Sequence, residues 1–275
     1  MQCHPFGGEG FIVKVLVKGA GDIATGVAYQ LYQAGFRVLM TDVEKPTSIR
    51  RTVCFSEAIV KGKTTVEGVT AVRIDDVSEA ERIIDEGMIP VIVDPEASCN
   101  EVFRADAVID AILGKENLGT TIHDAPVVIA MGPGFCAGVD CHAVIETMRG
   151  HTLGRIYYKG SAKPNTGIPG MIGGYSLERI LRAPVSGTFQ QVRQIGDIVK
   201  AGEICAYVDG TPMATAIDGV VRGILPTGTI VTEGMKSGDV DPRGAVVNCY
   251  TISDKALCMG GAAVVALMHL SNLIK

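Results

Sequence analysis

Short apolar runs along the first half of the chain predict β-strands. Turn-forming residues bound these runs, which lie at 11–17, 37–42, 90–94, 107–113 and 126–131. Apolar residues at helical spacing predict a helix over 23–34, and Ser78 with Glu81 forms a capping box before a further helix. Continuous apolar strands that alternate with helices are typical of a parallel sheet covered on both faces. The pattern therefore predicts an α/β domain.

A glycine-rich turn follows the first predicted strand and carries candidate binding chemistry. Gly19 allows a tight turn, Gly21 lets backbone amides approach a pyrophosphate, and Ala24 lets the helix pack closely on the strand. Asp22 completes this turn, and the N-terminus of the helix predicted over 23–34 supplies a partial positive charge. Asp42 ends the second strand, where its carboxylate would accept hydrogen bonds from ribose hydroxyls. These residues are the predicted site for NAD or another nucleotide.

The order of strand, glycine turn, helix, strand and acid predicts a Rossmann-like domain over 13–180, preceded by an extension over 1–12. Asp42 favours NAD over NADP because its charge would repel a 2′-phosphate. Lys45, Arg50 and Arg51 keep NADP open, since they could hold that phosphate instead. The alternative is a glycine turn that serves packing only.

A second glycine-rich turn follows the strand at 126–131 and contains Gly132, Gly134 and Gly138. Ligands of open α/β sheets bind outside the carboxyl ends of the strands, so this turn would face the first turn across one crevice. Lys163 and Asn165, from a polar stretch farther along the chain, would complete this substrate wall. A helix is predicted over 140–149, with Asp140 as its N-cap.

Weak candidates for catalysis lie in and after the second turn. Cys141, His142 and His151 are titratable groups near neutral pH, and a helix N-terminus would lower the pKa of the Cys141 thiol. No motif supports any of them, so whether the protein is an enzyme stays open. Together with Cys136 they match no common zinc spacing, and no metal site is predicted.

An internal repeat of 32 residues marks the second half of the chain. Each of four positions recurs at this offset, namely Gly187, Gly196, Val199 and Gly202. The repeat predicts a duplicated all-β unit over 181–250, which resembles the biotinyl/lipoyl carrier domain, a small hammerhead sandwich. The carrier lysine is missing from the turn at 208–214, so the resemblance implies no biotin and no lipoyl group. A C-terminal helix over 251–275 would pack back on the first domain or on another subunit.

Composition excludes several partner classes. The chain has 25 Lys and Arg against 30 Asp and Glu, and a net charge of −5 argues against nucleic acid. The longest apolar run, 256–268, is too short to cross a bilayer. No secretory signal is visible at the N-terminus, and the eight cysteines form no paired motif. These features predict a cytoplasmic protein with free thiols, and a homo-oligomer stays open.

Several longer motifs resemble the YqeB proteins, at 19–26, 50–58, 131–135, 144–151 and 238–243. That family is associated with selenium-dependent molybdenum hydroxylases. The resemblance implies an accessory role in maturing or inserting the molybdopterin cofactor or the selenium, with molybdenum hydroxylase subunits as partners. It implies no reaction.

Three classes of function follow. The first is a nucleotide-binding maturation factor that holds NAD or the nucleotide half of a molybdopterin dinucleotide, while the β domain docks on the client enzyme. The second is an NAD-dependent oxidoreductase acting on a small molecule, which needs a proton donor beside its substrate. The third is a non-catalytic scaffold with a vestigial nucleotide fold.

Overall fold

A computed structural model describes residues 13–273, so the predicted extension over 1–12 lies outside the described residues. The chain forms two compact units. Unit 1 contains the residues up to Glu44, Phe55–Asn165 and the residues from Ser253 onward. Unit 2 contains Lys45–Cys54 and Thr166–Ile252.

Unit 1 is built on a nine-stranded sheet in the order β3-β4-β5-β2-β1-β6-β7-β8-β9. Its strands are β1 (Lys14–Lys18), β2 (Arg37–Asp42), β3 (Lys63–Val66), β4 (Val69–Ile74), β5 (Ile89–Val93), β6 (Ala107–Asp110), β7 (Val127–Met131), β8 (Ala143–Ile145) and β9 (Ile156–Tyr157). The inner strands from β4 to β8 are parallel, whereas β3 and β9 pair antiparallel at the two edges. All five residues of β7 are buried, which explains their uninterrupted apolar sequence.

The helices of unit 1 are α1 (Asp22–Gln33), α2 (Glu57–Lys61), α3 (Ala80–Asp85), α4 (Asn100–Phe103) and α5 (Asp254–Leu270). Helices α1 and α5 pack against each other at small residues. A Cβ atom built on Gly26 would lie 2.6 Å from the backbone carbon of Ala256, so the two backbones approach closely. Asp76 caps the short 3-10 turn before α3 by accepting from the Ser78 amide, so Asp76 takes the place of the predicted capping box.

A predicted helix is wrong in the region of the second glycine turn. Residues 143–145 form β8, which pairs parallel with β7, in place of the helix predicted over 140–149. The carboxylate of Asp140 accepts a hydrogen bond from the Cys136 amide at 2.7 Å and closes a turn. Three consecutive apolar residues satisfy a fully buried strand, and their pairing with β7 decides the conformation.

Unit 2 consists of two four-stranded sheets, in the orders β10-β17-β15-β12 and β14-β13-β11-β16. The strands are β10 (Ile180–Arg182), β11 (Gly187–Gln191), β12 (Ile198–Val199), β13 (Ile204–Val208), β14 (Thr211–Ala214), β15 (Gly219–Ile224), β16 (Ile230–Val231) and β17 (Lys236–Asp241). The repeat is visible here, because β11 and β15 begin at equivalent positions in different sheets. Each pairs with a short strand from the other half, β11 with β16 and β15 with β12.

The segment Lys45–Cys54 belongs to unit 2 although it was predicted within the first domain. The carbonyl oxygen of Ile49 accepts a hydrogen bond from the Ile224 amide at 2.9 Å, beside the edge of β15. A Cβ atom built on Gly223 would lie 3.1 Å from Ile49 atoms, so the segment lies directly on this strand.

The predicted fold class is wrong. A Rossmann-like parallel sheet followed by a biotinyl/lipoyl-like hammerhead sandwich does not describe this chain, although the predicted C-terminal helix is present as α5. The first sheet is mixed, since antiparallel strands close both of its edges. The second unit has two antiparallel sheets and recruits a segment from the first half. Local sequence patterns predicted the strands β1, β2, β5, β6 and β7 but not the pairing of distant segments.

Candidate functional site

The first glycine turn joins β1 to α1 and fits closely against the end of β6. Gly19 has a φ of +93°, and its amide donates to the Thr41 carbonyl oxygen at 2.8 Å. A Cβ atom on Gly19 would lie 3.2 Å from the carbonyl oxygen of Ala111 and from backbone atoms of Ile112. Both the conformation and the close approach therefore require glycine.

Asp42 reaches this turn from the end of β2. One carboxylate oxygen, Oδ2, accepts from the Ala20 amide at 2.9 Å, and Oδ1 accepts from the Val43 amide at 2.8 Å. Burial raises the pKa of Asp42, and the two backbone hydrogen bonds oppose that shift. Each carboxylate oxygen has capacity for a further bond, so Asp42 can accept from another donor while it holds the turn.

The N-terminus of α1 has the chemistry of an anion site. Gly21 is the N-cap residue, and no side chain of the described residues caps the helix there. Ala24 is fully buried, as the predicted packing role requires. Asp22 lies in the first helical turn and adds a negative charge at the same end. The backbone amides and the helix dipole nevertheless favour an anion at this position.

Arg50 and Arg51, two of the three basic residues that kept NADP open, bond to backbone oxygens of unit 2. Arg50 Nη2 donates to the carbonyl oxygens of Asn248 and Thr251 at 3.0 and 2.9 Å. Arg51 Nε donates to the Ile224 carbonyl oxygen at 3.0 Å. Lys45 is exposed. These contacts give both arginines a structural role in unit 2.

The second glycine turn meets the chain that follows β6. A Cβ atom on Gly134 would lie 2.9 Å from Glu116, and one on Gly132 would lie 2.8 Å from Thr147 Oγ1. Because Gly19 contacts Ala111, the segment 111–116 touches both glycine turns. The two turns that were predicted to face each other therefore share this segment as a neighbour. Gly138 has open space around its Cβ position.

Lys163 and Asn165, predicted for the substrate wall, are exposed. The Lys163 amide donates to Glu146 Oε2 at 3.0 Å, while Oε1 of the same carboxylate accepts from the Met148 amide. Glu146 is fully buried and anchors the backbone here. A role for either residue in a substrate wall stays a prediction.

One of the three catalytic candidates, Cys141, has an environment unsuited to acid–base chemistry. The Cys141 thiol is fully buried, and burial together with the nearby charge of Asp140 raises its pKa to about 12. It is therefore protonated at neutral pH, and the helix that would have lowered its pKa is absent from residues 140–149. His151 is exposed in a turn.

A buried polar relay that the sequence patterns did not reveal lies at the carboxyl ends of β1 and β6. Lys18 Nζ donates to Thr120 Oγ1 at 2.7 Å, and that hydroxyl donates to Asp110 Oδ2 at 2.6 Å. The exposed fractions of these three residues are 3%, 1% and 2%. The available signal was a charged residue ending each of two adjacent apolar strands.

A cavity of about 980 Å³ lies in unit 1 on the sheet face that carries α4. Residues 111–126, all of them described, connect β6 to β7 without a helix, and this leaves the sheet face open. Among the lining residues are Lys18, Asn100, Arg104 and His142. Lys18 thus lines this cavity and directly precedes Gly19 of the first glycine turn.

His142 is held as a neutral imidazole at this cavity. Its Nδ1 accepts from the Val128 amide at 2.9 Å, so the ring hydrogen must be on Nε2. Burial lowers the pKa of His142, and the nearby charge of His123 lowers it further. His142 therefore presents a donor at neutral pH rather than a cation.

The stability of the protein should depend on pH through His142. Its pKa in the folded state lies below the ordinary value of about 6.5, so the unfolded chain binds more protons in mildly acidic solution. The contribution to stability is complete above about pH 6.5 and is lost as the pH falls below that value. Urea unfolding at about pH 7.5 and 5.5 should show this loss, and His142→Gln should reduce it. The exposed histidine variant His151→Gln should behave as wild type, and equal pH dependence in all three proteins would contradict the assignment.

Neither a metal cluster nor a membrane span emerges from the described residues. Among residues 13–273, no group of three His, Cys, Asp or Glu side chains could hold a metal ion. No helix in that range is both long enough and apolar enough to cross a membrane.

Comparison with known proteins finds similarity to a protein that is described only as uncharacterized. No family model matches the chain. The chain is 48% identical over 269 residues to the uncharacterized protein YqeB of Escherichia coli strain K12, a match that covers 98% of the chain. The chain spans about half, 49%, of that relative's length. This similarity supports the resemblance to the YqeB family.

Two solved structures show weak similarity. An aspartoacylase family protein from Mesorhizobium loti MAFF303099 has 11% identity and a TM-score of 0.28, with 83% of this chain and 85% of that chain covered. A succinylglutamate desuccinylase/aspartoacylase from Rhodobacter sphaeroides has 14% identity and a TM-score of 0.27, with 84% and 85% covered.

Proposed function

We propose that unit 1 binds a nucleotide at the carboxyl ends of β1 and β2, and that the protein serves as an accessory factor in maturation of a selenium-dependent molybdenum hydroxylase. The nucleotide is NAD or the nucleotide half of a molybdopterin dinucleotide. The observation that carries the proposal is the Asp42 carboxylate, which is bonded to the Ala20 amide inside the glycine turn.

The geometry supports separate roles for the glycine turn and for Asp42 in binding the nucleotide. A pyrophosphate would lie at the N-terminus of α1, where backbone amides and the dipole favour negative charge. Asp42 would accept from the ribose hydroxyls with the lone pairs that the Ala20 and Val43 amides leave available.

The strand order supports a site that extends from β1 towards β6. The chain proceeds from β1 to β2 on one side, whereas β6 pairs with β1 on the other. Such a reversal creates a crevice at the carboxyl ends of the strands, where ligands of open α/β sheets bind. Lys18 and the segment 111–116 would face the remainder of the ligand there.

The accessory role rests on the resemblance to the YqeB proteins and on the 48% identical relative. A cytoplasmic location and molybdenum hydroxylase subunits as partners are parts of this proposal. A dehydrogenase would need a proton donor beside its substrate, and the buried Cys141 thiol does not suit that task. The binding role rests on the contacts of Asp42, whereas hydride transfer has only His142 and His151 as remaining candidates for the donor.

Calorimetric titration with NAD should give saturable binding that Asp42→Ala weakens about 10- to 100-fold. The loss of hydrogen bonds to a charged acceptor has this magnitude. NADP and CTP are the comparison ligands, and NADP should bind more weakly because the Asp42 carboxylate repels a 2′-phosphate. CTP probes the cytidine nucleotide of a molybdopterin dinucleotide.

Asp75→Ala is the matched control because it removes the same charge from an 82% exposed side chain of unit 1. Its affinity for the nucleotide should equal that of wild type. Equal weakening in both variants, or no binding of any of the three nucleotides, would contradict the nucleotide site. Steady oxidation of NADH with a small substrate would favour the oxidoreductase alternative.

Copurification tests the accessory role separately. The tagged protein should retain a molybdenum hydroxylase subunit from cells that express both proteins, and the complex should contain molybdopterin. A hydroxylase that reaches full metal and cofactor content in cells without this protein would refute the maturation role and leave nucleotide binding unaffected.

A further inference from the structure

The cavity of unit 1 is a preformed space between the sheet and the chain that connects β6 to β7. Leu16 and Val108 of the sheet line it, together with residues of α4 and of the chain before β7. Asn100 holds these walls together, because its Nδ2 donates to the Asp124 carbonyl oxygen at 2.8 Å and its Oδ1 accepts from the Ala105 amide at 2.9 Å. The volume of about 980 Å³ is that of a small-molecule site.

Charged and polar side chains of this cavity gather at one edge of the sheet. Arg104 and Asp106 lie just before β6, and His142 lies just before β8. Glu101, on α4, comes shortly before Arg104. Strands β6, β7 and β8 are parallel, so these residues lie at the edge formed by the amino ends. Lys18 ends β1, which is parallel to β6, and therefore lies at the opposite edge.

Opposite charges line this edge without contacting each other. The side chain of Arg104 forms neither an ion pair nor a hydrogen bond within residues 13–273, and the Glu101 carboxylate likewise has no partner there. Asp106 Oδ2 accepts from the Lys14 amide at 2.8 Å, which leaves Oδ1 able to accept from another donor. A ligand that carries both charges could therefore bind between these groups.

His142 adds an oriented donor without adding charge. Its backbone amide donates to the Val128 carbonyl oxygen at 2.7 Å, while its Nδ1 accepts from the Val128 amide at 2.9 Å. These two bonds fix the imidazole, and its Nε2–H has no acceptor in the part of the chain that the structure describes. The cavity thus offers two kinds of unused donor, the Arg104 guanidinium and this N–H.

We propose that the cavity binds a free α-amino acid, with its α-carboxylate on Arg104 and His142 and its α-ammonium on Glu101 and Asp106. The planar guanidinium suits two-point contact with a carboxylate. The three donors of an ammonium group match carboxylate acceptors, and both sets of bonds are charge-assisted. This zwitterion uses the unpaired donors and the unpaired acceptors of the edge at the same time.

The remainder of the cavity favours a side chain that is apolar or ends in an acceptor. Leu16 and Val108 line this part. Lys18 Nζ donates one hydrogen bond, to Thr120, and an ammonium has two further donors. A cationic side chain would be repelled by Lys18. A shared metal ion is not an alternative occupant, because no three His, Cys, Asp or Glu side chains of the described residues could hold one.

Titration with free amino acids tests the proposal. The probes are L-leucine, L-methionine, L-glutamine and L-glutamate, added separately to the full chain at about pH 7.5 and constant ionic strength. At least one should bind saturably with one molecule per chain. Its N-acetyl derivative and its carboxamide derivative should each bind at least about 10-fold more weakly, because each lacks one of the two charged groups.

The titration has clear contrary outcomes. Absence of saturable binding by all four probes overturns the proposal, and so do two derivatives that bind as tightly as the free amino acid. Loss of affinity in only one derivative shows that a single charge is recognised and overturns the assignment to an amino acid.

Two variants of exposed residues test the assignment of each charge. Arg104→Gln should weaken binding of the free amino acid about 10-fold but should not weaken binding of the carboxamide, which has no carboxylate to lose. Glu101→Gln should weaken the free amino acid in the same way and spare the N-acetyl derivative. Arg82→Gln and Glu86→Gln, which change side chains of unit 1 that are 58% and 46% exposed, are the matched controls. Equal weakening in variants and controls would show a general charge effect and overturn the site.

This inference does not rest on the proposed function. The four residues assigned to the amino acid lie at the amino ends of β6 and β8, whereas the glycine turn follows the carboxyl end of β1. Amino-acid binding should therefore persist in Asp42→Ala, even if no nucleotide binds to the wild-type protein. Its loss in Asp42→Ala would place the amino acid at the glycine turn and overturn the separate site.

Discussion

Asp110→Ala is expected to lower the free energy of unfolding by about 3–5 kcal/mol. The Asp110 carboxylate balances the Lys18 ammonium through the Thr120 hydroxyl, and all three groups are buried. Removal of the acid leaves a buried positive charge with no compensating carboxylate in the relay. Urea or guanidinium unfolding of the variant measures the effect.

A double-mutant cycle separates charge balance from simple loss of packing. Lys18→Met should be destabilising alone, whereas Lys18→Met with Asp110→Ala should cost clearly less than the sum of the two single variants, because neither charge is then left alone. Additive effects within about 0.5 kcal/mol would show that the two residues do not interact. Asp85→Ala, which removes a 67% exposed carboxylate, is the control and should cost little.

Gly260→Ala is expected to destabilise the protein by about 1–3 kcal/mol, although alanine is the better helix former. The new Cβ atom would meet the carbonyl oxygen of Gly26 and would lie 2.6 Å from Gln30 Cγ. Helix α5 would have to move away from α1, and the packing between them would loosen. Thermal or urea unfolding measures the loss.

The adjacent glycine, Gly261, provides a control in which alanine should change the stability in the opposite direction. A Cβ atom on Gly261 has nothing within 4 Å, so Gly261→Ala should stabilise α5 by about 0.5–1 kcal/mol. If both alanine variants changed stability in the same direction, the close approach of α1 and α5 would not be the cause.

Local sequence patterns predicted those elements of unit 1 that depend mainly on neighbouring residues. The bounds of β2 are those predicted, and α1 begins one residue earlier than its pattern indicated. The strand β8 was predicted as a helix because a short apolar run after a glycine turn suits either conformation. Its pairing with β7 decides between them, and a single sequence does not contain that information.

The contacts of the candidate site were likewise predictable only where they join neighbouring elements. Contact between Asp42 and the glycine turn was foreseeable, because β1 and β2 are parallel neighbours and their carboxyl ends meet at one edge. Lys18 and Thr120 are 102 residues apart, and no local pattern connects them. The sequence patterns likewise did not point to Arg179 and Arg222, since their carboxylate partner Asp239 becomes apparent only when β10 pairs with β17.

The recruitment of Lys45–Cys54 into unit 2 has a consequence for how the protein forms on the ribosome. This segment emerges early, yet Arg50 binds the Asn248 carbonyl oxygen, which is 198 residues farther along the chain. Unit 1 likewise lacks α5 until residues 254–270 have been made. Neither unit can therefore be completed during synthesis of most of the chain. Folding of both units should therefore wait until residues 254–270 have emerged, and until then the nascent chain should depend on chaperones that protect unpaired strands.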